Sequence, residues 1–138
     1  MSPGTPLLYI NGPSYSSPYY QVQWLYVAQS SSETITIGMR NDPAYTFIDD
    51  VSVLYGSTQL LCNGDFEAGS MSCWSGANHV STTSPNSGIY CYYDGTVGSL
   101  DYVSQTFSTT PGNLLYISFW IGWTGSGSGV ITYITITP

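Results

Sequence analysis

Lysine is absent from this chain, and Arg40 is its only strong cation. Eight acids against that one arginine leave a net charge of −7 over 138 residues. Such a chain has no positive face for nucleic acid or an anionic lipid surface, and both partners are excluded. Lysine chemistry is excluded too. So is the usual lysine guard on exposed sheet edges, which are therefore expected to be covered by neighbours or by glycan. No apolar run approaches the roughly 20 residues of a membrane-spanning helix, and no 12-residue window has amphipathic helical spacing. No Asn is followed two places on by Ser or Thr, so N-linked acceptors are missing and only O-linked sugar remains open. Residues 1–10 lack the basic start and apolar run of a secretory leader. An extracellular reading therefore treats the chain as a mature piece or as part of a longer one.

What is present is apolar and hydroxylated. Charged residues make up 7%, against roughly 25% in an average soluble domain. Ser and Thr number 36, and apolar residues reach 42%. That balance is expected of a surface-layer, adhesive or fibre protein outside the cell, and it forms a core rather than a disordered tail. The length suits a single unit over 1–138. Three cysteines leave one over after any pairing. Cys62–Cys73, which flank a short segment, is the preferred disulfide. Cys73–Cys91 and three buried thiols are the alternatives.

Tyr, Thr, Val, Ile and Trp dominate, with turn residues about every ten positions, the rhythm of an all-β sandwich. Strands are expected at Pro6–Ile10, Tyr19–Ala28, Thr34–Arg40, Tyr45–Tyr55, Gln59–Phe66, Ile89–Tyr93, Tyr102–Ser108, Leu114–Trp123 and Val130–Thr137. Period-two alternation sends Ile35, Ile37 and Met39, and Leu115, Ile117, Phe119 and Ile121, to the core. Tyr116, Ser118 and Trp120 then share an outer face. Gly125–Gly129 reads as a flexible hairpin loop.

Asn63-Gly64-Asp65-Phe66-Glu67, followed by Gly69 and Trp74, resembles the opening of carbohydrate-binding β-sandwiches of the galactose-binding-like jelly-roll class. Ser87–Tyr90, Val103–Phe107, Pro111-Gly112 and Leu115–Trp120 resemble its continuation. Phe47-Ile48-Asp49-Asp50-Val51-Ser52-Val53 resembles its closing strand. The order is displaced, because the closing strand precedes the opening one. The resemblance thus assigns 1–55 to closing strands, 60–138 to opening strands and 54–61 to the connection. The chain is then either a circular permutant or one period of a tandem array, completed by its neighbours; the array is preferred.

The resemblance implies a structural calcium held by Glu67 with Asp50 or Asp49, a donor set that suits a hard cation. For glycan binding, the aromatic candidates are Trp120, Tyr116, Trp24 and Tyr92, with Tyr93 and Gln23 nearby. Most of the aromatics must nonetheless serve cores and interfaces. His79, the only histidine, reads as a surface loop residue, and no nucleophile elbow accompanies it. Acid pairs drawn from Asp42, Asp49, Asp50, Asp65, Glu67, Asp94 and Asp101 lack the deep cleft of a glycosidase. The function expected is therefore non-catalytic: an extracellular structural or adhesive unit that self-associates into a fibre, filament or array. The alternative is a monomeric lectin-like module.

Overall fold

A computed structural model describes residues 8–12, 17–41, 44–76, 80–94, 99–124 and 130–138. His79, Asp42, the Gly125–Gly129 loop and the start of the Pro6–Ile10 strand lie outside the described residues. Among the described residues every regular element is a strand: β1 Leu8–Gly12, β2 Ser17–Val27, β3 Ser32–Arg40, β4 Thr46–Tyr55, β5 Thr58–Gln59, β6 Ser75–Gly76, β7 Val80–Ser81, β8 Cys91–Asp94, β9 Asp101–Ser108, β10 Leu114–Trp123 and β11 Val130–Thr137. They form two antiparallel sheets, ordered β1-β11-β3-β9-β6 and β2-β10-β4-β8-β7, with β5 beside β4. The second of these is the β10 sheet below.

The alternation read from sequence sets the faces. Ile35, Ile37 and Met39 of β3 and Leu115, Ile117, Phe119 and Ile121 of β10 are fully buried in one apolar cluster. Each such side chain contributes roughly 1.5–3 kcal/mol relative to exposure. Ile134 and Ile136 of β11 and Val103 and Phe107 of β9 join the cluster from the same sheet as β3, facing β10. Glu33, the second residue of β3, is buried. Its carboxylate accepts the Tyr26 hydroxyl at 3.0 Å and the Ser30 N–H at 3.2 Å, so the charge is met by donors rather than left bare.

Each sheet mixes strands from both ends of the chain. β1 pairs with β11, β2 with β10, β3 with β9 and β4 with β8. Counted cyclically from β8, these four pairs nest one inside the next. The 54–61 connection is a tight hairpin: Leu54 pairs with Gln59 and Tyr55 with Thr58 around Gly56, whose φ of 60° favours glycine.

One expected strand is corrected. Gln59–Phe66 ends as a strand at Gln59, and the residues beyond form turns. Asn63, Phe66 and Cys73 take φ of 53°, 60° and 73°, outside any extended conformation. Asn63 organises the loop: its Nδ2 donates to the carbonyls of Ser70 and Ser72, and its Oδ1 accepts from Ala68 N–H at 3.1 Å. Trp74 Nε1 donates to Asn63 O at 2.9 Å. The Cys62–Cys73 disulfide closes the same loop, and Cys91 is a buried free thiol. The disulfide fits an oxidising compartment, and among the described residues no helix is long and apolar enough to cross a membrane.

Candidate functional site

The most featured surface is the outer face of the β10 sheet where β4 is irregular. Ser118 faces Ser52, but Trp120 faces Asp49, so two β4 residues, Asp50 and Val51, oppose Phe119 alone. Asp50, at φ 51°, is the extra residue of a bulge. The phase of burial shifts there, from Ile48 to Val51 and Val53. As a result Asp49 and Asp50 both meet the segment 84–90, which lies over the sheet.

The contacts are specific. Asp49 Oδ2 accepts the N–H groups of Asn86 at 2.8 Å and Ser87 at 3.2 Å, and its Oδ1 accepts Asp50 N–H at 2.7 Å. Asp50 accepts Asn86 Nδ2 at 3.0 Å and the Ser87 hydroxyl at 2.8 Å. Glu67 accepts Ile89 N–H at 2.9 Å and Tyr90 N–H at 3.0 Å. A side chain at Gly88 would overlap the Glu67 carboxylate, so glycine is required for this approach.

Burial pushes the Asp49 carboxyl up to about 6; the Asp50 charge adds to the rise, and the N–H groups of Ser87, Asp50 and Asn86 oppose it. Burial likewise raises the Tyr19 hydroxyl, helped by Cys91, Asp49 and Asp50, and it raises the Cys91 thiol. The folded pKa of Asp49 thus lies above its unfolded value of about 3.9. Its stabilising contribution is complete below pH 4 and disappears as the pH rises through 6, a difference on the order of 2 kcal/mol. Urea midpoints of the parent and of Asp49→Asn, measured from pH 4 to 7, should differ in slope with that sign. Parallel curves would refute it.

Beside this strap lies a cleft of about 200 Å³ lined by Tyr45, Phe47, Thr83 and Tyr93. Phe47 and Tyr93 are cross-strand partners, their rings stacked at 6.2 Å and 20°. Tyr45 packs on Tyr93 at 5.2 Å, and Tyr19 reaches Phe47 at 6.4 Å. Tyr45 is 42% exposed, so the cleft is open to solvent.

No protein-family model matches the chain, and no curated protein or solved structure is significantly similar to it.

Of the aromatics proposed from sequence, Trp120 and Tyr116 are half-buried on the outer face, and the Tyr116 hydroxyl donates to Gln23. Trp24 and Tyr92 are corrected. Trp24 is paired with the fully buried Ile117 and faces inward, edge-on to Phe119 at 5.9 Å. Tyr92 is paired with Ile48, fully buried, and packed on Phe66 at 5.9 Å. Its neighbour Tyr93 holds the outward position, since adjacent strand residues take opposite faces. Tyr45 and Phe47 were missed. Their only sequence signal was their odd spacing from Ile48.

The implied calcium ligands Glu67, Asp50 and Asp49 are brought to one segment. Their acceptors point at N–H and O–H donors spread along it, and among the described residues no three His, Cys, Asp or Glu side chains gather to hold a metal ion. This donor arrangement does not fit a calcium ion, which needs six to eight oxygens around one point.

Proposed function

We propose that the chain is a non-catalytic extracellular module of the galactose-binding-like jelly-roll class, entered out of phase, that holds a carbohydrate in the Tyr45–Phe47–Tyr93 cleft. The aromatic cleft carries this reading. Three aromatic residues and Thr83 line one open concavity of about 200 Å³, and apolar sugar faces stack on aromatic rings. The nested pairing counted from β8 supports the jelly roll. So does the contact of the opening and closing segments, where Val51 N–H donates to Gly64 O at 2.8 Å and Leu60 N–H to Val53 O at 2.9 Å. The disulfide supports a place outside the cell. Asp49 and Glu67 hold backbone amides and Asp50 holds the Asn86 and Ser87 side chains, which favours binding over catalysis.

A second reading, a self-associating structural or adhesive unit, is favoured by one observation. β2 is an 11-residue edge strand, and Leu25 is 62% and Val27 48% exposed on it. Such edges invite pairing with another chain. Because β1, β2 and β3 pair within the chain, this reading no longer needs neighbours to complete the sandwich.

A glycan array on the recombinant chain, with size-exclusion chromatography, separates the two. A monomer that binds a glycan saturably, weakened about tenfold (about 1.4 kcal/mol) by Tyr93→Ala and by Tyr45→Ala but not by Leu25→Ser, is the expected result. A concentration-dependent oligomer abolished by Leu25→Ser, with no glycan bound, would reverse the order.

A further inference from the structure

We infer that the 84–90 strap is held onto the sandwich by a metal-independent carboxylate clamp, with Glu67 as its main positioning residue and no calcium between the acids. The clamp is independent of whether the neighbouring cleft binds sugar.

The geometry distributes the acids instead of centring them. Asp49 takes the amides of Asn86 and Ser87; Glu67 takes those of Ile89 and Tyr90; Asp50 takes the side chains of Asn86 and Ser87. Four amides within five residues thus point at carboxylate oxygens. Their N–H dipoles provide the positive potential that a cation would otherwise supply. Gly88 lies against Glu67 where a side chain would not fit, so backbone occupies the space in front of that carboxylate. Asp50 reaches its partners because the β4 bulge turns it there.

Charge and hydrogen bonding separate the two accounts at Glu67. Its Oε1 accepts both Ile89 and Tyr90 N–H. An amide oxygen at that position preserves those two bonds and gives up only the longer Ile89 N–H contact to Oε2 at 3.1 Å, whereas a calcium ligand set loses a full charge.

The experiment is thermal unfolding of the whole chain in millimolar calcium and in EGTA, with Glu67→Gln and Glu67→Ala beside the parent. Amide hydrogen exchange is read at Ile89 and Tyr90. The expected result is a parent midpoint that moves less than about 1 °C between calcium and EGTA. Glu67→Gln should stay within about 3 °C of the parent, and Glu67→Ala should fall by about 5 °C or more. Exchange at the two amides should rise at least tenfold in Glu67→Ala alone. A micromolar calcium site would instead raise the parent midpoint by about 10 °C in millimolar calcium, and Glu67→Gln would abolish that rise. That outcome overturns the inference. So does unchanged protection of Ile89 and Tyr90 in Glu67→Ala, or a Glu67→Gln chain as unstable as Glu67→Ala. Should Glu67→Ala fail to fold, the calcium response of the parent and the stability of Glu67→Gln decide.

Discussion

Gly64→Ala should destabilise the fold by about 3 kcal/mol or more, the range of backbone clashes in a packed interior. Gly64 is buried, and a Cβ there would overlap the Val51 carbonyl oxygen. Backbone cannot swing aside as a long side chain can. The same two residues share the bond from Val51 N–H to Gly64 O, so a shift that relieved the clash would break a buried hydrogen bond as well. Gly112→Ala is the control. Its φ is 90° with open space around the Cβ position, so it carries backbone strain alone, about 1–2 kcal/mol. Chemical denaturation of both variants measures the difference. If Gly64→Ala cost no more than Gly112→Ala, the opening and closing segments would not be in contact, and the proposal of a jelly-roll module would lose one of its supports.

Phe66→Ala should cost about 3–5 kcal/mol, the range of large-to-small changes at a buried aromatic. Phe66 is fully buried, stacked on Trp74 at 5.7 Å and tilted against Tyr92 at 5.9 Å. Its φ of 60° makes a second comparison informative. In an ordinary strand glycine is worse than alanine by roughly 0.5–1 kcal/mol. In the left-handed region the order reverses, because an L residue carries a penalty of about 1–2 kcal/mol that glycine avoids. Phe66→Gly should therefore be more stable than Phe66→Ala, although it removes one more carbon. The opposite order in urea titrations would show that this residue is extended and that the loop is wrongly described.

The strands were legible wherever burial alternates without interruption. β3 and β10 have this pattern, and their inward sets follow from period two alone. Legibility failed where an inserted residue or a left-handed residue changes the phase. At Asp49-Asp50 nothing in the letters shows which acid is the extra one, so the outward role of Phe47 was hidden. At Tyr92-Tyr93 two identical residues offer opposite faces, and the inward one was preferred. At 59–66 the apolar letters Leu61 and Phe66 point to a strand, but their burial, like that of Trp74, comes from a loop wound around Asn63. The resemblance placed Asp49, Asp50 and Glu67 near one another. Their partners, the amides of 86–90, have no side-chain signature and became visible only in three dimensions.

The strand pairing also sets when this protein can fold. Among the described residues β1, β2 and β3 do not pair with one another; each pairs with β9, β10 or β11. On a ribosome, β1, β2 and β3 must wait until β9, β10 and β11 have emerged, so native structure forms late and from distant contacts. Such topologies fold slowly and expose sticky edges in the interval. Nascent chains of this protein should depend on chaperones, and truncation of β11 should release β1 as well as its own residues.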